Sequence, residues 1–405
     1  MKKLFALLTI LAVLAGCLSC GARTPEPVGI GRSEVAQRTD PGAVDPPQTG
    51  PAPPAFKDEL TVVMVGDVLL HEPLTESGLA DDGSRNYDHF FANVRETVES
   101  ADLALVNEEV ILGGEELGLS GYPRFNGPYE VADAEAAAGF DVILQATNHA
   151  LDRGGDGIRN DLAYWRANYP EIAVAGIYDS AAARDEICTV EIEGVRVAVL
   201  NYTYSTNGRE MPDGMPWAVA MLDETGIRAD FSRAREQADF IIVCPHWGTE
   251  YSHQVSDSQR RWADLFLEEG ADLILGAHPH VIEPLETLTA PDGKQVPVYW
   301  SVGNFINSTA GEGPGVADRM LGAMAAVTLK IDRADDGSVT GVSVASCKAL
   351  PLVTHMAFGF RAPTTYFLAD YTEDLAAANR VSERDPAFSV AYLTDLWNKV
   401  MENDQ

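Results

Sequence analysis

Short apolar runs recur along most of this chain, and polar clusters follow them. Leu60–Val65, Leu103–Val106, Phe140–Leu144, Ile172–Ala175, Phe240–Cys244, Leu273–Leu275 and Val298–Val302 are rich in β-branched and large apolar residues and too short for helices. Each predicts a buried strand. Between them, Phe90–Ser100, Ala132–Ala138, Gly157–Asn168, Ala229–Ala238 and Ser256–Glu268 read as helices, the last capped by Ser256 or Asp257. Ile187–Ile192 and Arg196–Tyr202 flank Glu193-Gly194 as a hairpin. Met324–Ile331 and Val339–Ala345 do so around Asp335-Asp336-Gly337, and Phe388–Met401 is a final helical stretch. Strands alternating with helices predict α/β layering. The expected organisation is one α/β domain with two packed sheets over residues 57–355, followed by a partly helical C-terminal extension over 356–405.

The pattern changes at the start of the chain. Lys2 and Lys3 precede the apolar stretch from Leu4 to Val13, too short for a comfortable membrane span. Leu14-Ala15-Gly16-Cys17 then looks like a bacterial lipobox, so residues 1–16 are expected to be a lipoprotein signal peptide and Cys17 the lipidated residue. Acyl chains on Cys17 would hold the protein in one membrane leaflet, outside the cytoplasm. Residues 17–56, with Pro46, Pro47, Pro51, Pro53 and Pro54, cannot sustain a helix and read as an extended tether.

The chain has 405 residues, 46% of them hydrophobic, enough for a large core. Its formal net charge of -32 argues against a nucleic-acid partner or binding to an anionic membrane face. An anionic substrate then needs metal ions or local arginines to reverse the potential at its site. Cys20, Cys188, Cys244 and Cys347 lack metal-ligand spacing, and Cys244 ends an apolar run where a buried thiol is expected. Neither a phosphate-binding Gly-rich loop with its Lys nor a serine nucleophile elbow is present.

Five polar clusters sit at the ends of the expected strands: Gly66-Asp67, Asn107-Glu108-Glu109, Asn148-His149, His246 to Tyr251, and Gly276 to His280. A strand end delivers its side chains to the carboxyl edge of the sheet, where α/β sites form. Converging carboxylate, amide and imidazole groups there describe a divalent-metal site. Asp67 taken alone reads rather as an N-cap or turn residue, and His71 is either a second ligand or a surface histidine. Glu108 and Glu109 point opposite ways in extended chain, so one of them is a ligand or general base and the other solvated, although taken alone the pair reads rather as two solvated loop carboxylates. His149 suits proton transfer, with Asp152 orienting it or capping the next helix. His278 and His280 share a face if the chain is extended. Of eight histidines, four (His149, His246, His278 and His280) stand at strand exits, and that coincidence favours chemistry over packing. Glu250 and Tyr251 either bind substrate or anchor their loop, and Trp247 is expected to pack. Arg124 is an anion contact or an exposed loop residue; Asn304 closes the pocket or holds its turn.

In order, Gly66-Asp67-Val68, Asn107-Glu108-Glu109, Ala146-Thr147-Asn148-His149, His246-Trp247-Gly248-Thr249-Glu250-Tyr251, Gly276-Ala277-His278-Pro279-His280 and Ser301-Val302-Gly303-Asn304-Phe305 resemble the CapA-type poly-γ-glutamate capsule synthesis family, itself similar to calcineurin-like metallophosphoesterases. The resemblance implies a four-layer α-β-β-α sandwich. It implies Asp67, Glu109, Asn148, His246, His278 and His280 as metal positions for Mn, Fe or Zn, and His149 as the catalytic histidine. The chain departs from the phosphoesterase pattern at Leu69, where a histidine is usual, and at Glu109, where an aspartate is usual. The implied role is a lipid-anchored surface protein of capsule biosynthesis that hydrolyses a phosphoester or a γ-glutamyl amide. The alternative is a non-catalytic assembly protein that holds a polyanion such as poly-γ-glutamate. The implied partners are that polymer and the membrane subunits of a capsule synthase.

Overall fold

The computed structural model describes residues 56–309 and 311–401. The expected signal peptide, the tether up to residue 55 and Cys17 lie outside the described residues. Among those described, the strands are β1 (Glu59–Leu69), β2 (Leu103–Glu108), β3 (Val142–Leu144), β4 (Ala173–Ala175), β5 (Thr189–Ile192), β6 (Val195–Thr203), β7 (Phe240–His246), β8 (Leu273–Leu275), β9 (Ile282–Thr289), β10 (Gln295–Val302), β11 (Asn304–Asn307), β12 (Leu321–Arg333), β13 (Val339–Ala357) and β14 (Arg361–Phe367). They form two sheets. The first runs β14-β13-β12-β1-β2-β3-β4, with β11 added on β1; the second runs β5-β6-β7-β8-β10-β9. In the first, β1-β2-β3-β4 are parallel and β12-β13-β14 continue the sheet antiparallel; in the second, the central strands are parallel and antiparallel β5 and β9 close both edges.

The period of two along each strand builds the layers. Leu60, Val62 and Met64 of β1 pack between the sheets against Val197, Val199 and Ile242. Their neighbours Val63 and Val65 face outward onto Phe90, Val98, Ala132 and Trp165. On the second sheet, Leu200, Ile241 and Val243 face Ile227, Phe231 and Phe266 of two covering helices. The result is the four-layer α-β-β-α sandwich. The helix Asp257–Glu269 starts with a capping box in which Ser256 and Gln259 satisfy each other's backbone N–H groups. Trp247 is a packing residue: its Nε1 donates to the Trp300 carbonyl at 2.9 Å and its ring stacks on Trp300. Cys188, Cys244 and Cys347 are unpaired thiols, and Cys244 is buried.

Several elements differ from expectation. The helix expected over Phe90–Ser100 is a 3₁₀ turn at Asp88–Phe90 and a short helix at Arg95–Glu99. β13 runs through residues 355 and 356, where the C-terminal extension was expected to begin, and β14 continues the same sheet. β1 does not stop at Asp67. It bulges there and exchanges its neighbour β12 for β11, pairing Asp67 with Asn304. Gly66 permits this crossing, because a Cβ on it would lie 1.8 Å from the Gly303 carbonyl oxygen.

Candidate metal centre

The carboxyl ends of the parallel strands of both sheets meet at one place. The first sheet brings Asp67 on β1, Glu109 just after β2 and Asn148 beyond β3. The second brings His246, the last residue of β7, and His278 and His280 beyond β8. All six are buried. Their ligand atoms form two groups, Asp67-Glu109-His280 and Glu109-His246-His278, and within each the atoms lie within 4.8 Å of one another. Glu109 belongs to both. Its two oxygens lie 3.8 Å from His246 Nε2 and 3.7 Å from His280 Nδ1. Asn148 Oδ1 lies 3.0 Å from His246 Nε2. Asn107 orients rather than ligates, donating from Nδ2 to Asp67 Oδ1 at 2.9 Å.

The donors fit a divalent cation. Both oxygens of Glu109 and Nδ1 of His278 are buried without a hydrogen-bond partner. A buried carboxylate in that state is costly unless a cation sits beside it. Burial, opposed by His280 and reinforced by Asp67, holds the Glu109 acid well above its usual range. Burial, then the neighbouring imidazoles, pushes His246 and His278 well below theirs, which leaves them neutral, the ligating form. Burial also works against a charged His280, but Glu109 and Asp67 outweigh it and lift that ring to about 10. Hard oxygens with imidazole nitrogens suit a divalent metal ion.

His278 and His280 reach the centre by a route other than the extended chain expected. Their φ angles are +100° and +59°, so the backbone turns at each and sends one ring to each group. Glu108 points away from the centre, as its alternation with Glu109 requires, and accepts from the Val110 N–H at 2.9 Å. His71 enters neither group. It sits past the end of β1, with Nδ1 3.3 Å from the Leu69 carbonyl and its ring edge-on to Phe125. Burial, opposed by that carbonyl, lowers it to about 4.

A cavity of about 670 Å³ opens over the centre. His149 lines it, with Nδ1 2.7 Å from Asp152 Oδ2. Asp152 also accepts from the Phe125 N–H at 2.8 Å and from Arg209 Nε at 3.1 Å. It therefore orients the imidazole and does not cap the helix Gly154–Asn168, whose N-cap is Arg153. Arg124, Glu250 and Tyr251 line the same cavity, and Asn304 does so while holding His280: Oδ1 faces its Nδ1 at 3.1 Å and Nδ2 donates to its carbonyl at 3.0 Å. The sequence reading missed Asn207, Arg209, Thr309 and Arg319, which complete the wall. Asn207, Arg209 and Thr309 stand in loops and Arg319 in a short 3₁₀ turn, all outside any periodic segment, and no local pattern marks them.

A family model described as bacterial capsule synthesis protein PGA_cap matches residues 61–309, more than half of the chain. The chain belongs to that family. The capsule synthesis match contains all six donors of the centre, together with His149 and Asp152. The PGA biosynthesis protein CapA of Bacillus subtilis (strain 168) is 33% identical over 168 residues, covering 41% of this chain and 42% of that protein. The capsule biosynthesis protein CapA of Bacillus anthracis is 26% identical over 258 residues, covering 62% and 60%. The chain thus spans less than two thirds of either relative. Among solved structures, a 5'-nucleotidase precursor from Thermus thermophilus is similar at 16% identity and a TM-score of 0.43, over 72% of this chain and 54% of that one.

Proposed function

We propose that this member of the capsule synthesis family is a metal-dependent hydrolase that cleaves a phosphoester or γ-glutamyl amide of an anionic capsule polymer outside the cytoplasm. The observation that carries the reading is Glu109 shared between two donor groups, beneath a cavity lined by the His149–Asp152 pair. Asp67, Glu109 and His280 would hold one divalent ion, and Glu109, Asn148, His246 and His278 a second. Such ions activate water and stabilise charge that develops on the scissile group. Asp152 holds Nδ1 of His149, which leaves Nε2 to pass a proton to the leaving group. Arg124, Arg209 and Arg319 set positive charge around the cavity of an otherwise acidic chain and favour an anionic substrate.

The test is elemental analysis of the full chain beside the His278→Ala/His280→Ala variant, with turnover of phosphoesters and γ-glutamyl amides. The reading expects bound Mn, Fe or Zn that the variant loses, and a His149→Ala protein that keeps its metal but is at least about 100-fold slower. No metal after reconstitution with each ion would sink it. The three arginines also suit a second reading, a polyanion-holding assembly protein. In that case Arg124→Ala weakens polymer binding and no turnover exists to lose.

The lipobox-like Leu14-Ala15-Gly16-Cys17 supports attachment to the membrane through Cys17, and membership of the capsule synthesis family supports placement beside the membrane subunits of a capsule synthase. Among the described residues no helix is long and apolar enough to cross a membrane. Incorporation of a labelled fatty acid, abolished by Cys17→Ala, is the expected result; unchanged labelling would rule the anchor out.

A further inference from the structure

We infer that the chain beyond the family match, residues 311–401, completes the substrate site by presenting Arg319 as the contact for a second anionic group of the substrate. This rests on the anionic-substrate reading above and adds where its second charge is read. Arg319 lies in the 3₁₀ turn Ala317–Met320, just ahead of β12. Its guanidinium sits 3.8 Å from the centroid of the Tyr251 ring, and both residues line the cavity over the metal centre. One of its N–H groups reaches Thr309 Oγ1 at 3.1 Å. A guanidinium stacked on an aromatic face offers in-plane N–H groups to a carboxylate or phosphate, which here would share or replace contacts that Arg319 already makes, Thr309 among them. Stacking also restrains rotamers that a free surface arginine would have to order on binding.

The turn that carries Arg319 is held from several sides. Its own carbonyl accepts from Nδ2 of Asn304 and of Asn307, each at 3.0 Å, and Asn304 is the residue that holds His280. Asp318 meets His253 Nε2 at 3.2 Å and accepts from the Tyr392 hydroxyl. His253 follows Tyr251 on the same loop and is fixed in turn to the Ile282 carbonyl at 2.7 Å. The Ala317 N–H donates to Asp385 at 3.1 Å. Tyr392 belongs to the helix Val390–Met401, which buries Leu393, Leu396 and Val400. The C-terminal helix therefore braces the turn, and the turn is joined to a metal donor on one side and to the Tyr251 loop on the other. Arg319 is the specificity contact in this account; Tyr392 and Asp385 position it.

Calorimetry on the metal-loaded full chain tests this without any need for turnover. The probes are a γ-linked glutamate trimer and the same trimer with its α-carboxylates methylated. The native protein is expected to prefer the charged trimer by about tenfold or more. Arg319→Gln should abolish that preference, Arg319→Lys should restore only part of it, and Tyr392→Phe should reduce it with metal content and melting temperature unchanged. An Arg319→Gln protein that still discriminates, or a native protein that binds neither probe, overturns the inference. Absence of hydrolysis in the same samples would count against the catalytic reading alone.

Discussion

Asn207, Tyr251, His278 and His280 hold positive φ angles that non-glycine residues rarely adopt, and all four surround the centre. Strain of this kind costs roughly 1–3 kcal/mol per residue and persists where neighbours impose it. Here the return is position, because the left-handed turns send two histidines two residues apart to different donor groups. Asp152 illustrates the same economy of placement. Its two oxygens hold His149, Arg209 and the Phe125 N–H, so Asp152→Asn should lower kcat by about 100-fold while metal content stays constant. A second prediction concerns Glu135, fully buried against the carboxyl of Glu108. Burial lifts its acid to about 8, so the folded protein binds that proton more tightly than the unfolded chain. Stability should therefore be full below the ordinary carboxylic range and decline as pH rises through that range toward about 8. Glu135→Gln should flatten the fall in melting temperature between mildly acidic pH and about pH 8; an unchanged slope would refute the assignment. At this scale the strand pattern marked the polar clusters after the apolar runs, whereas the choice of Glu109 over Glu108 and of the donor set came only from the family resemblance. Arg319 was not legible in the sequence, since its role depends on stacking with a residue on another loop.

Among elements, β1 decides most. It leaves β12, bulges at Asp67 and takes up β11, and the close approach of Gly66 to Gly303 makes that crossing possible. Gly66→Ala should cost about 3 kcal/mol or more in chemical denaturation and displace Asp67, lowering metal content as well. A fully stable, metal-replete Gly66→Ala protein would show that the crossing yields easily. The apolar runs located the central strands but not their ends, because a side-chain pattern does not report a change of partner. β14 was invisible for a different reason. Its segment Arg361–Phe367 contains Pro363, which argues against a strand in the middle of a sheet but is compatible with the edge that β14 occupies. The helix start at Ser256 or Asp257 and the hairpin at Glu193-Gly194 were legible because their chemistry is local; the structure makes Ser256 the cap.

Over the whole molecule, oxygen donors come from one sheet and imidazoles from the other. Asp67, Glu109 and Asn148 belong to the first, His246, His278 and His280 to the second, and beneath them the sheets meet through apolar side chains such as Met64 and Ile242, with a few polar contacts such as the Tyr299 hydroxyl donating to the Lys348 carbonyl at 2.7 Å. Binding of an ion to the folded state alone stabilises it by about 2.7 kcal/mol when free ion exceeds its Kd a hundredfold. Chelation should therefore lower the melting temperature by several degrees, and readdition of metal should restore it; a melting curve indifferent to chelator would show that the sheets do not rely on the ion. The division of donors has a consequence for biogenesis. Neither half of the fold carries a complete ligand set, so uptake must wait until both halves have docked. The ion acquired is then set by whichever metals are available in the compartment where folding finishes, and an exported chain would be loaded from the stock outside the cytoplasm.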